Sequence, residues 1–167
     1  MSGIIDTVGS KSGIVGSDVY PAGHMIQCRV YHSDITQVNV TSTSFNTADV
    51  ICTNTFTPLR ASSNILLFAH IHTHVDDDAV YLYLDFYKNA SDVTETANLS
   101  GNSAGLMFTR KESSWHGTTY SHLDTCSENS LSEKTYKMSA RINATGSGWL
   151  GWGSSIPTYM MIQEITA

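Results

Sequence analysis

The sequence predicts an all-β protein, an antiparallel β-sandwich of jelly-roll type with about eight strands. Three observations predict this fold. Short runs of β-type residues alternate with Asn, Asp, Ser, Gly and Pro, and no window carries the apolar period of an amphipathic helix. The connections between these runs are short, which favours antiparallel pairing. At 167 residues the chain suits one domain with its own core.

The predicted organisation is an extended N-terminal arm, residues 1–18, followed by one β-sandwich domain, residues 19–167. The arm is rich in Gly and Ser, so its isolated Ile and Val residues cannot build a core. The predicted strands of the domain are His24–His32, Thr36–Thr41, Val50–Thr57, Ile65–Val75, Ala79–Lys88, Gly105–Arg110, Thr135–Asn143 and Thr158–Thr166.

The stretch from Asn64 to Lys88 is the most informative part of the chain, and its pattern predicts one β-hairpin. A four-residue loop would pair Val75 with Val80 and set Ile71 opposite Leu84, so that apolar side chains meet on one face. The other face is unusual. In this register it carries the neighbouring pairs His70 and Asp85, His72 and Tyr83, and His74 and Tyr81.

That second face predicts an interface. A monomeric sandwich needs one apolar face per strand, yet large apolar side chains also lie opposite the core-facing positions. Because the chain has no ligand motif, another copy of the same chain is the simplest cover. The predicted interface residues are Phe68, His70, His72, His74, Tyr83 and Asp85.

Composition excludes some classes of partner. The net charge is -6, and the nine Lys and Arg residues are scattered, so no basic stripe is available for nucleic acid. No segment is long and apolar enough to span a membrane. The cysteines Cys28, Cys52 and Cys126 lack metal-type spacing, and we expect them to be buried free thiols.

The sequence predicts no catalytic site. Ser121, His122 and Asp124, with His116 nearby, include the residue types of nucleophilic catalysis, but adjacent residues on a loop rarely supply the geometry of a triad. The chain contains no nucleophile elbow, phosphate-binding loop or HExxH motif. We therefore expect a non-enzymatic protein.

Three tryptophans, Trp115, Trp149 and Trp152, lie in segments predicted to be loops. One interpretation is glycan binding, in which the rings stack on sugar faces and neighbouring hydroxyls bond sugar OH groups. The alternative is structural: the rings close the ends of the sandwich or fill a subunit interface. Sequence alone favours the structural interpretation.

Five segments together resemble small structural proteins of tailed bacteriophages: residues 21–31, PAGHMIQCRVY; 63–73, SNILLFAHIHT; 80–91, VYLYLDFYKNAS; 134–144, KTYKMSARINA; and 155–166, SIPTYMMIQEIT. Their order matches along nearly the whole chain. The resemblance implies a β-sandwich, commonly a homotrimer, displayed on the virion as capsid decoration or a fibre head. The HIHTH run is not part of the pattern.

Two interpretations of the histidines then remain open. In a trimer, two imidazoles from each copy could surround an axial metal ion such as iron or nickel, with six nitrogen ligands. Otherwise His70, His72 and His74 are ordinary interface residues and no cofactor is bound. The second interpretation is preferred, so the sequence predicts no cofactor.

The predicted role is capsid decoration or cement, with capsid or tail proteins and other copies of the chain as partners. The arm would anchor the protein to the particle through Ile4, Ile5, Val8, Ile14 and Val15. The alternative role is a short head or tail fibre that binds host-surface glycans. Because the chain has no shaft repeat, decoration is preferred over a fibre.

Overall fold

The fold is seen in a computed structural model, which describes residues 22–33, 37–43, 50–90, 99, 105–110, 114–125, 131–151 and 158–167. These residues contain ten strands and no helix. The strands are β1 (Met25–His32), β2 (Val38–Val40), β3 (Val50–Phe56), β4 (Asn64–Val75), β5 (Tyr81–Ala90), β6 (Met107–Arg110), β7 (His116–Asp124), β8 (Lys134–Ile142), β9 (Gly148–Leu150) and β10 (Tyr159–Ile165).

The strands form two antiparallel sheets. The small sheet has the order β3-β8-β5-β6, and the large sheet contains β1, β10, β4, β9, β2 and β7. In the large sheet Thr73 of β4 pairs with His116 of β7 on one edge and with Leu150 of β9 on the other. Strand β10 pairs with β4 on the same edge as β9 does, so β9 and β10 together form one interrupted strand. Their partners β1 and β2 form a second interrupted strand in the same way.

Counted in this way, the ten strands occupy eight positions of a jelly roll. The large sheet reads β1/β2, β9/β10, β4, β7, and the small sheet reads β3, β8, β5, β6. Along the chain, consecutive members of these eight positions alternate between the two sheets, except that β5 and β6 both lie in the small sheet. The predicted fold class, an antiparallel jelly-roll sandwich of about eight strands, is confirmed.

The core lies between the two sheets, and its residues come from alternate positions of the strands. Burial in β4 alternates strictly, as expected of a strand with one face in the core. The central side chains, which are fully or almost fully buried, are Ile65, Leu67, Ala69, Ile71, Leu82, Leu84, Phe86, Met138, Ile142, Leu150, Met160 and Ile162. The predicted division of β4 and β5 into core and outer positions is therefore confirmed for these apolar residues.

The predicted hairpin is wrong. Strand β4 pairs with β10, β7 and β9, whereas β5 pairs with β6 and β8, so the two strands lie in opposite sheets. Ile71 and Leu84 are both fully buried, but they belong to facing sheets and are not cross-strand neighbours. The connection at residues 76–80 is a corner between the sheets. The predicted pairs of His70, His72 and His74 with β5 residues therefore do not form.

The sequence predicts loops where the structure has the strands β7 and β9, so these two predictions are wrong. Strand β7 includes Ser121, His122 and Asp124. Its inward positions are mostly polar, and only Tyr120 adds a large side chain to the hydrophobic core, so it lacks the apolar alternation that identifies a strand. The three residues of β9 are too few to show any period.

Two buried carboxylates support one end of the sandwich. Asp124 accepts hydrogen bonds from Lys88 Nζ at 3.1 Å and from Tyr136 Oη at 2.9 Å, which connects β7 in the large sheet to β5 and β8 in the small one. Glu164, fully buried in β10, accepts bonds from the backbone N–H groups of Leu59 and Arg60 and from the side chains of Ser63 and Gln27. These bonds fix the loop that leads into β4 and satisfy buried charge.

Candidate interaction surface: the outer face of the large sheet

The outer face of the large sheet is the most distinctive surface of the molecule. Its described outward positions follow from the strand register, because directly paired residues share a face. None of the outward residues on these strands is Lys, Arg, Asp or Glu. Depletion of charge together with Met and aromatic enrichment is typical of the core of a protein–protein interface.

One half of this face is apolar. Phe68 of β4 lies between Met161 of β10 and Ser121 of β7, and Val30 of β1 follows Met161. In the adjoining row, Leu66 lies beside Leu123. Val30 is 53% exposed and Leu123 is 44% exposed. We call this region the apolar half; its members are Cys28, Val30, Leu66, Phe68, Leu123 and Met161.

The other half carries aromatic rings and imidazoles, and we call it the aromatic half. Its members are His32, His70, His72, His74, Trp115, Trp149 and Tyr159. His70 stacks on the Tyr159 ring with centroids 5.4 Å apart, and its Nδ1 is hydrogen-bonded to Thr119 Oγ1 at 3.0 Å. Its neighbour along the strand, His72, meets the His70 ring edge to face at 5.2 Å.

His72 lies over β7 at the point where that strand has a glycine. A Cβ atom on Gly117 would come within 2.9 Å of His72 Nε2, so the missing side chain makes room for the imidazole. Burial lowers the pKa of His72, and the neighbouring His70 lowers it further. The neutral form of His72 is therefore favoured on folding.

His74 has a tryptophan on each neighbouring side of the sheet. The Trp115 ring stacks on the imidazole with centroids 5.2 Å apart, and Trp149 is the direct partner of His74 in the β4–β9 pair. His74 Nδ1 lies 3.1 Å from Asp76 Oδ1 in the corner that follows β4. The sequence places these four residues in three separate segments, and the pairing of β7 and β9 with β4 brings them together.

The six predicted interface residues do not share one surface. Phe68, His70, His72 and His74 lie on the outer face of the large sheet. Tyr83 and Asp85 lie on the outer side of the small sheet, where Tyr83 is covered by the Arg141 guanidinium at 4.3 Å and Asp85 is fully buried. The prediction that all six form one face is wrong because it depended on the hairpin pairing.

The geometry of the histidines does not favour one shared ion within a chain. Their rings contact different partners along the strand: Tyr159 and Thr119 for His70, Gly117 for His72, and Trp115 for His74. Among the described residues, no group of three or more His, Cys, Asp or Glu side chains is placed to hold a metal ion.

Other predicted residues can be placed individually. Cys52 is buried as expected, but Cys28 is exposed, because the outward side of an edge strand has no layer above it among the described residues. Ser121 points outward and His122 inward, as alternation on β7 requires, so they do not form a nucleophile–base pair. Trp152, Cys126 and the arm residues Ile4, Ile5, Val8, Ile14 and Val15 lie outside the described residues, as does the proposed boundary at residue 18.

Sequence reasoning missed Tyr159, Met161 and Val30 as members of this surface. Tyr159 and Met161 alternate with buried Met160 and Ile162, and this pattern marks them as outward residues. The signal was present, but nothing local shows that β10 lies beside β4.

The part of the chain that the structure describes contains no helix of the length and hydropathy needed for a membrane span.

Comparisons with known proteins give likenesses in structure alone. No protein-family model matches the chain. No curated protein matches it either. Among solved structures it is similar to the VP2 subviral particle of infectious bursal disease virus, with 11% identity and a TM-score of 0.46 over 96% of this chain and 43% of that chain.

Two further structures of the same virus are also similar. The Gx strain structure has 11% identity and a TM-score of 0.41 over 84% of this chain and 38% of that one. The derived T=1 particle has 12% identity and a TM-score of 0.42 over 96% of this chain and 44% of that one. This chain thus spans less than half the length of the chains it matches. The jelly-roll assignment depends on the strand pairing described above and not on these likenesses.

Proposed function

We propose that this protein is a non-enzymatic structural component of a virion, in which copies of the chain associate through the apolar half of the large sheet. The uncharged outer face carries the proposal of self-association. The members of the apolar half lie in two rows across four strands, with Gln163 and Ser121 as the polar positions in those rows. At about 4.8 Å between strands and about 6.6 Å between rows, the footprint is roughly 250 Å². The support therefore comes from the absence of charge across the face together with this apolar patch, since the largest apolar patch of a protein is often functional.

A second copy of the chain is the preferred occupant. Two copies of a surface without Lys, Arg, Asp or Glu can meet without leaving a charge unpaired. A charged partner would find no complementary charge on this surface. Closed rotational symmetry is usual for such homo-oligomers. We propose a homotrimer, since the resemblance of the strand motifs to tailed-phage structural proteins implies that state.

The same resemblance supports a location on the virion, with capsid or tail proteins as further partners. Capsid decoration or cement is preferred over a short head or tail fibre, because the chain contains no shaft repeat. Residues 1–18 would serve as the tether. Their isolated Ile and Val residues suit insertion into grooves of a particle surface.

Self-association is tested by placing a charge in the apolar half. We expect Phe68→Asp to convert an oligomer into a monomer in size-exclusion chromatography with light scattering, because a buried unpaired charge at an interface costs about 2–5 kcal/mol. The matched control is Tyr83→Asp on the opposite sheet, which should leave the oligomer intact. A wild-type protein that is monomeric at all concentrations would overturn the proposed self-association.

The virion role is tested with particles. Deleting residues 1–17 should release the protein from particles while leaving a folded oligomer, and retention of the truncated protein would exclude the tether. Mass spectrometry of intact virions then separates decoration from a fibre, because decoration of the capsid surface requires many more copies than a tail or vertex position.

A further inference from the structure

The aromatic half contains a compact arrangement that self-association does not explain. Trp115 stacks on His74, and Trp149 lies directly beside His74 on the neighbouring strand. All three residues have intermediate exposure, and the His74 side chain is 18% exposed. The cluster lies about 20 Å along β4 from Phe68, at roughly 3.3 Å for each of six residues, and is thus separate from the centre of the apolar half.

Polar groups flank these rings on two sides. Asp76, 66% exposed in its side chain, places Oδ1 3.1 Å from His74 Nδ1. Asn39 of β2 is exposed and is the direct partner of Trp149 in the β2–β9 pair. A carboxylate accepts hydrogen bonds, and an amide both donates and accepts them, so the two groups match hydroxyl groups at different edges of a sugar ring.

We infer that the Trp115, His74 and Trp149 cluster, with Asn39 and Asp76, binds the pyranose ring of a neutral sugar. The C–H face of a pyranose is apolar and stacks on an aromatic ring, while its hydroxyl edge requires polar partners at the rim. The site provides both features. It is also preformed, because His74, Trp149 and Asn39 project from three adjacent strands of one sheet.

Charge selects the class of sugar. The corner after β4 carries three consecutive carboxylates, Asp76, Asp77 and Asp78, next to the cluster. A sialic or uronic acid would meet like charge, which disfavours its binding. Neutral hexoses and N-acetylhexosamines are therefore the expected ligands.

The test is saturation-transfer NMR with the full-length protein. The probes are the methyl glycosides of glucose, galactose, mannose and N-acetylglucosamine, with the methyl glycosides of glucuronic acid and sialic acid as anionic counterparts. We expect saturation transfer to at least one neutral glycoside and weaker transfer to the anionic ones. The dissociation constant should rise at least about tenfold in Trp149→Ala, because anchoring aromatic residues dominate such contacts.

Matched variants keep the result interpretable. Tyr83→Ala removes an aromatic ring from the outer face of the other sheet and should leave sugar binding unchanged. Asn39→Ala changes an exposed side chain and should weaken binding even if Trp149→Ala fails to fold, which circular dichroism would reveal. Absence of transfer to every neutral glycoside, or binding unaffected by both Asn39→Ala and a folded Trp149→Ala, would overturn the site. Stronger binding of the anionic sugars would overturn the ligand class.

This site is independent of the proposed self-association. Trp149→Ala should lose sugar binding and remain an oligomer, whereas Phe68→Asp should become monomeric and keep sugar binding. A wild-type oligomer that binds no sugar would contradict the site alone, and a wild-type monomer that binds sugar would contradict self-association alone.

Discussion

The outer faces of the two sheets differ far more than their inner faces do. The centres of both inner faces are aliphatic and aromatic, and burial alternates strictly through β4 and the first part of β5. On the outer side, the large sheet has no Lys, Arg, Asp or Glu on its described strands, whereas the small sheet carries Arg110, Lys137 and Arg141 at outward positions. The inner faces explain why the chain folds, and the outer faces indicate which side meets a partner.

Aromatic residues occur on both outer faces but in different surroundings. On the small sheet, the Arg141 guanidinium covers the Tyr83 ring at 4.3 Å, and the Tyr81 ring lies 6.5 Å away. A cation over a ring is compatible with a solvated surface. On the large sheet, the Tyr159 and Trp115 rings stack on imidazoles. This difference teaches that aromatic residues by themselves do not distinguish the two faces, whereas the absence of charged neighbours does.

The largest expected effect is a loss of folding stability on substitution at the inner side of β4, compared with the outer side of the same strand. Leu67→Ala, at a fully buried position of β4, should lower the free energy of unfolding by about 2–5 kcal/mol. Leu66→Ala, on the outer side, should lower it by about 1 kcal/mol or less. Both are measured by urea unfolding in the Phe68→Asp background, so that folding is separated from association. Equal losses would mean that the outer side contributes to the monomer core.

A smaller effect concerns pH. The folded pKa of His72 lies below its ordinary value of 6.5, because burial and then His70 oppose its charge. The folded state therefore binds fewer protons than the unfolded state, and stability falls as the pH decreases through about 6.5. The facing groups are His70, His74 with its partner Asp76, and the backbone at Gly117.

We expect the melting temperature to decrease between about pH 7.5 and pH 5.5, and this decrease should be smaller in His72→Gln. The control is Ser121→Ala, at an exposed position of β7, which removes no titratable group and should keep the wild-type slope. Identical slopes in all three proteins would contradict the assigned cause. The same titration followed by light scattering tests whether the oligomer also weakens at acidic pH.

The smallest expected effect is at Gly117. In Gly117→Ala the new Cβ atom would approach His72 Nε2 to 2.9 Å, so the imidazole must rotate away. Displacement of a side chain from its preferred rotamer costs about 0.5–1.5 kcal/mol, which the gain in strand propensity over glycine partly offsets. We expect shifted NMR resonances of His72 and His70 with little change in melting temperature. Ser121→Ala, exposed on the same strand, is the control and should leave both imidazoles unchanged.

Much of the fold was predictable, whereas most of the candidate surface was not. The alternation of Ile65, Leu67 and Ile71 identified the buried side of β4 because side-chain direction depends only on position along a strand. By contrast, the environment of His74 depends on Trp115 and Trp149, which lie 41 and 75 residues further along the chain. No local pattern predicts such a contact, since it arises only when β7 and β9 pair with β4.

The sequence by itself determined that this protein is all-β and which side of β4 is buried, because both properties follow from local periodicity. Only the tertiary structure decided that β4 and β5 belong to opposite sheets. A short connection permits either a hairpin or a corner between sheets, and the apolar side chains of the two strands meet in both cases. Pairing with the distant strands β10, β7 and β8 distinguishes the two arrangements, and it gives the histidines of β4 an uncharged surface shared with Tyr159, Trp115 and Trp149.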